Sequence, residues 1–188
     1  MPQTENSRSV LLEARSAVVI SAEPHVVYSV VSDLPRSGEW SPECLGGAWV
    51  SGEPGAVGSV FRGENERSPE VVAWAPVVRG TWHTEAEVVA AEFGVTFRWS
   101  MRNSSGERQD SVWGFDVEPY GSGSLLTHHF RMGNPTEGIR GITAEMDGPT
   151  RARFFAEWQA KVAGDLEATV RRVKDVVERE VAGATHPG

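Results

Sequence analysis

Between residues 95 and 132 apolar and polar side chains alternate in three successive segments, and from about residue 149 the spacing changes to three and four. Val95, Phe97, Trp99 and Met101 share one parity, then Trp113, Phe115 and Val117, then Leu126, His128, Phe130 and Met132. Period two is the signature of strands, and the short gaps at 103–106 and 121–123 favour antiparallel neighbours, because a parallel crossover needs a dozen or more residues. Downstream, Phe155, Trp158, Val162, Leu166, Val170, Val173 and Val177 fall on one face of a helix predicted over Pro149–Val181. Pro149 suits its first turn and Gly183 follows its end, while Arg151, Arg153, Glu157, Lys161 and Glu167 take the wetter positions. Such a helix is about 45 Å long and must span most of a domain.

The first part of the chain fits the same plan. Val10–Ile20 is predicted as a strand, Ala22–Val31 as a short helix packed through Val26, Val27, Val30 and Val31, and Pro35–Trp40 as a second helical piece or turn. Ala48–Val50 and Val57–Asn65 are extended, and Trp82–Ala90 alternates through Trp82, Thr84, Ala86, Val88 and Ala90. Residues 66–80 are expected as a loop with an irregular strand inside, since Pro69 and Pro76 interrupt their valines. Together these elements predict an α+β domain over residues 10–182, with 1–9 and 183–188 as flexible termini. Its two layers are a curved antiparallel sheet and a long C-terminal helix. Incomplete closure leaves a pocket between them; a flatter sheet gives a filled core instead.

Composition removes several function classes. With 18 basic and 26 acidic residues the formal charge is -8, which disfavours nucleic acid as a partner. The single cysteine, Cys44, excludes an internal disulfide and a thiolate-rich zinc site. His128 and His129 are adjacent and point to opposite faces of a strand, and no helical H-E-x-x-H pair exists, so no metal is expected. Gly52, Gly55 and Gly58 carry neither a dinucleotide fingerprint nor a phosphate-loop lysine, so no cofactor is expected. No apolar run approaches the roughly 20 residues of a membrane helix, and the polar start is not signal-like. A cytoplasmic protein without stable membrane insertion is expected, and the oligomeric state is left open.

Three stretches resemble the polyketide cyclase/dehydrase and lipid-transport superfamily, in particular its small bacterial stand-alone members: AVVISAEPHVVYSVVSDLPRSGEWSPEC at 17–44, GAVGSVFRGEN at 55–65 and WGFDVEPYGSGSLLTHHF at 113–130. This is the START-like, birch-pollen-allergen-like group with the helix-grip fold. The resemblance implies a curved sheet of about seven strands, two short helices between strands 1 and 2, and a C-terminal helix closing a hydrophobic cavity. Members of the family bind lipids, quinones, aromatic polyketides or plant hormones, and some cyclise or dehydrate polyketide intermediates. One fold carries many activities, and no set of catalytic residues transfers. Asp33, Trp40, Ser41 and Pro42 match a family pattern whose role is architectural.

Candidate cavity walls are Phe61, Trp82, Phe97, Trp99, Trp113, Phe115, Phe130 and Trp158. On the Phe61 strand the face holding Gly63 and Asn65 is taken as inward, because Asn65 is cheaper to bury than Arg62 or Glu64. Asn65 either orients a ligand carbonyl or holds a loop. His128 has inward parity and is either a proton-transfer group or a core histidine bonded to backbone or Tyr120. Cys44 is expected as an ordinary buried or half-buried thiol, and 133–148 as either a mobile gate or a pinned connection. These features point to a hydrophobic or aromatic small molecule as partner. A cyclase or aromatase, a carrier of lipid, quinone or pathway intermediate, and a filled-core protein remain the alternatives.

Overall fold

The computed structural model describes residues 10–184. The predicted flexible segment 1–9 and residues 185–188 lie outside them. Seven strands, β1 (Leu12–Ile20), β2 (Cys44–Ser51), β3 (Val60–Arg67), β4 (Gly80–Glu92), β5 (Thr96–Arg102), β6 (Arg108–Tyr120) and β7 (Gly123–Met132), form one antiparallel sheet in the order β1-β7-β6-β5-β4-β3-β2. Helix α1 (Pro24–Val31) and a 3₁₀ turn (Leu34–Glu39) lie between β1 and β2, and α2 (Glu137–Thr143) and α3 (Gly148–Ala184) follow β7. This is the helix-grip arrangement. No helix among the described residues is long and apolar enough to cross a membrane.

The alternation places the side chains as expected over most of the sheet. Phe97, Phe115, Leu126, His128, Phe130 and Met132 are buried, and Phe61, Gly63 and Asn65 point inward while Arg62 and Glu64 are exposed. In β4 a bulge shifts the register between Val88 and Ala90, so Ala91 sits opposite Phe97 and packs on the core in place of the expected Ala90. Residues 68–79 hold no strand. The Arg79 guanidinium donates to the carbonyls of Pro69, Val71, Val72, Ala75 and Val77, which satisfies the loop backbone from within. Ala75 and Val77 are thereby folded into the core.

Helix α3 starts at Gly148 and runs to Ala184, past the expected end at Val181 and through Gly183. Its buried face begins at Phe154, which is wholly covered, whereas Phe155 is only partly so. Phe154 stacks on Trp158 at 5.6 Å and stands edge-on to Trp74 of the 68–79 loop at 6.5 Å. Lys161 is also not one of the wet positions: its side chain is 14% exposed and paired on both sides. The helix lies chiefly along β1 and β7. Lys174 and Gln159 donate to the β1 carbonyls of Val19 and Glu13, so the helix also covers that sheet edge.

Two cores result. One joins α1, Trp40, Phe61, Phe97, Phe115 and the Val170–Val177 end of α3; the other joins Leu12, Ala75, Val77, Phe130, Met132, Ile139 and the Phe154–Leu166 end. Replacing Phe154 with alanine is expected to cost about 3–5 kcal/mol, and Phe155→Ala clearly less. Urea unfolding of the two variants checks this, and equal losses would return Phe155 to the core face.

Candidate functional site

A partly enclosed cavity of about 490 Å³ lies where the two cores fail to meet. The sheet supplies Phe61, Gly63 and Asn65 from β3, Trp82, Thr84 and Ala86 from β4, Trp99 from β5, Trp113 from β6, and His128 and Phe130 from β7. Helix α3 supplies Trp158, Lys161, Val162, Asp165 and Leu166, and α2 closes one side with Ile139 and Ile142. Of the residues singled out from sequence, Phe61, Asn65, Trp82, Trp99, Trp113, His128, Phe130 and Trp158 are brought to this one space. Phe97 and Phe115 are not in its lining; both are wholly buried in the first core. A second hollow beside Ser100, Arg108, Gln109 and Asn134 is open to solvent and lacks an aromatic wall.

His128 is enclosed by rings. It stacks on Phe115 at 4.1 Å and lies 6.2 and 6.1 Å from Trp99 and Trp113. Its Nδ1 is 2.8 Å from the Gly114 carbonyl, and Tyr120, exposed at the far turn, is not its partner. A carbonyl only accepts, so Nδ1 carries the proton and Nε2 holds the lone pair. Burial pushes the imidazole pKa down to about 3, so the ring is neutral at physiological pH. On the opposite face His129 sits 3.3 Å from Asp116, which is held by Arg98 and Thr96.

Asn65 donates through Nδ2 to Thr84 Oγ1 at 3.0 Å and to the Gly63 carbonyl at 3.3 Å, which leaves its own carbonyl oxygen as the group it can offer. Cys44 is half-buried in the wall, accepting from Ser37 Oγ at 3.0 Å. Trp40 also contributes to the wall; its Nε1 is buried without a polar partner, and its ring meets Phe115 edge-on at 5.5 Å.

Four charged side chains, none of them anticipated, form one end of the cavity. Arg67 donates to both Glu43 oxygens at 2.7 and 2.9 Å and to the Val78 carbonyl at 3.0 Å. Lys161 bridges Glu43 at 2.7 Å and Asp165 at 2.5 Å. The Arg67 guanidinium also lies over the Trp82 and Trp158 rings, at 4.3 and 5.1 Å. Burial opposes ionisation of Glu43, but its two cations outweigh it and hold the carboxyl below its usual range. Burial, with Glu43 nearby and only Lys161 paired to it, leaves the Asp165 carboxyl above its usual range.

The segment expected as a gate or connection contains α2 and is tied down. Ser104 N and Oγ donate to Glu137 at 2.8 and 2.6 Å, Gln109 Oε1 accepts from the Glu137 amide at 2.6 Å, and Asn134 donates twice to Asp110.

The unfolded chain binds a proton at His128 below about pH 6.5 and the folded one resists it down to about pH 3. Stability carried by this group is therefore complete above the upper value and lost as pH falls through the window, by up to about 1.4 kcal/mol per pH unit. Urea unfolding between pH 7 and pH 4.5 should show a shallower acid loss for His128→Gln than for the unaltered protein; parallel slopes would contradict the assignment.

The family described as polyketide cyclase / dehydrase and lipid transport matches residues 12–178. A search of curated proteins found no match. Among solved structures, the Polyketide_cyc-like protein Cgl2372 from Corynebacterium glutamicum is 26% identical over 100% of both chains, with a TM-score of 0.61. The Zhui aromatase/cyclase from Streptomyces sp. R1128 is 13% identical over 93% of this chain and 98% of its own, with a TM-score of 0.63. The di-domain ARO/CYC StfQ of the steffimycin pathway is 12% identical at a TM-score of 0.65, with 95% of this chain matched to 54% of that one. At those two identities the likeness is one of fold. The two-core grip around an aromatic cavity and the match along nearly the whole described chain make this protein a member of the polyketide cyclase/dehydrase and lipid-transport family.

Proposed function

We propose that the protein takes up a hydrophobic or aromatic small molecule in the cavity between sheet and α3. The observation that carries this reading is the wall itself: about 490 Å³ of space bounded by Phe61, Trp82, Trp99, Trp113, Phe130 and Trp158, with a few polar groups at set positions. A mostly apolar, concave site with sparse directional groups is how small-molecule sites are built. Family membership and the aromatase/cyclase named among its structural neighbours support a cyclase-like role, in which the walls fold a reactive chain and polar groups orient it.

A carrier reading is favoured by one specific observation. His128, the residue with proton-transfer chemistry, is held neutral with a pKa near 3, which makes it a hydrogen-bond acceptor and a weak base. The carrier needs the same walls and no proton transfer. Turnover of a bound polyketide intermediate separates the two, and retention of an unchanged ligand in native mass spectra favours the carrier.

Binding itself is tested with N-phenyl-1-naphthylamine, a neutral probe whose emission rises in apolar surroundings. Ala86 is buried and faces the cavity, so Ala86→Phe places a ring in that space. The variant should bind the probe at least about tenfold more weakly with an unchanged circular dichroism spectrum. Failure of the unaltered protein to bind the probe, or equal binding by a folded variant, would overturn the reading.

A further inference from the structure

The corner of the cavity formed by the 3₁₀ turn and the start of β2 holds a nucleophile and a donor that uptake alone does not use. Cys44 lines the space with its thiol half-buried. Ser37 Oγ, 3.0 Å away, and the Gly46 carbonyl, at 3.6 Å, fix the direction of Sγ. Beside it stands Gly63, where a β-carbon would come within 3.3 Å of Sγ; the missing methyl group leaves that side of the sulfur open. Thr169 of α3 lines the same cavity and is 3% exposed. Its hydroxyl has no hydrogen-bond partner among the described residues. Arg172, three residues on, donates to the Ser41 carbonyl at 3.1 Å, so this stretch of α3 is held against the 41–44 segment. A buried hydroxyl without a partner is costly, and it marks a place where an acceptor from outside the chain fits.

We propose that Cys44 is a covalent attachment site for an apolar α,β-unsaturated ketone taken up by the cavity, with Thr169 donating to the ketone oxygen. The inference rests on the cavity-binding reading and adds a bond to it. The thiolate is the attacking form, and as a soft nucleophile it adds to the β-carbon of a conjugated ketone in preference to the carbonyl carbon. The C–S bond forms as the carbon–carbon π bond breaks, and the electron pair moves to the ketone oxygen, where the Thr169 hydroxyl receives the developing charge. The thiol proton leaves to water and the α-carbon takes one from water. The net change is addition of S–H across the double bond, with nothing oxidised or reduced. Aromatic walls that hold a flat conjugated ligand beside the sulfur make the encounter effectively intramolecular. The adduct reverses by β-elimination, so the bond retains a ligand without consuming it.

The test treats the full chain at about pH 7.5 with benzylideneacetone, an aromatic enone. Its saturated counterpart benzylacetone, which binds without reacting, serves as competitor. Intact mass and peptide mapping should show one adduct, on Cys44, formed at least about tenfold faster than on N-acetylcysteine and suppressed by benzylacetone. Cys44→Ser should show none. Gly63→Ala, which sets a methyl group against Sγ, should slow the addition at least about fivefold. Thr169→Val should slow it about threefold or more, while methyl methanethiosulfonate, which has no ketone oxygen, labels Cys44 at the unaltered rate. No adduct on Cys44, a rate equal to that of N-acetylcysteine, or no protection by benzylacetone would overturn the proposal, and an unchanged enone rate in folded Thr169→Val would overturn the donor role. Quenching of tryptophan emission by benzylacetone separates these failures from that of the cavity-binding reading. Binding without an adduct leaves that reading standing; binding of neither benzylacetone nor N-phenyl-1-naphthylamine removes both. If a variant fails to fold, the adduct, its rate and its protection in the unaltered protein decide the matter.

Discussion

One straight helix cannot follow a curved sheet along its whole face, and the remaining features of the structure answer that mismatch. α3 lies along β1 and β7, while β2 and β3, at the other side of the sheet, curl towards the 3₁₀ turn and Trp40. At the C-terminal end of the helix the gap is closed by α1, whose Val27, Val30 and Val31 join Val170, Val173 and Val177. At its N-terminal end the 68–79 loop and α2 are folded inward through Ala75, Val77 and Ile139. The cavity lies between these two plugs, lined by side chains of both cores.

The charged quartet follows from the same geometry. Trp82 and Trp158 approach from sheet and helix at the rim, and the flat Arg67 guanidinium near both rings completes that wall. A guanidinium placed there needs an anion, which Glu43 supplies in a two-pronged contact; Lys161 and Asp165 extend the chain of charges to the helix. Partly buried ion pairs of this kind add little net stability, because desolvation offsets the attraction, but they fix relative positions well. Here they join Arg67 at the end of β3, Glu43 just before β2, and Lys161 and Asp165 in the middle of α3.

How much of this could be read from the residues depended on whether a side chain obeys a local period. The sheet was legible because each strand buries one face: parity places Trp99, Trp113 and His128, and for Phe61 the lower cost of burying Asn65 than Arg62 or Glu64 chooses the face. The helix was legible for the same reason, but its starting phase was not: Phe154 and Phe155 both fit a stripe containing Trp158, and only Trp74, 80 positions earlier in the chain, selects Phe154. The irregular strand expected in 66–80 fails because Arg79 satisfies the carbonyls that a neighbouring strand would have used. Glu43, Arg67, Lys161 and Asp165 carried no signal at all beyond the i,i+4 spacing of the last two, which is ordinary on a wet helix face. Charges that pair across the fold look, one at a time, like charges that face water.

The quartet also bounds what chemistry this site can perform. An oxyanion forming in the cavity would draw stabilisation from cations or from donors aimed at it, and that effect is largest when those groups have no other partner. Arg67 and Lys161 are already engaged by carboxylates, and the imidazole of His128 is neutral and fixed by Gly114. What the walls supply is confinement: aromatic faces from sheet and helix bound the space on two sides. Orientation alone is a large lever on an intramolecular condensation whose uncatalysed step is already favourable, because the entropy of bringing the ends together is met on binding. Under the proposed uptake of a small molecule, the same walls would serve a reactive ligand as a mould and an unreactive one as a container, so the difference between the two roles would lie in the ligand more than in the wall.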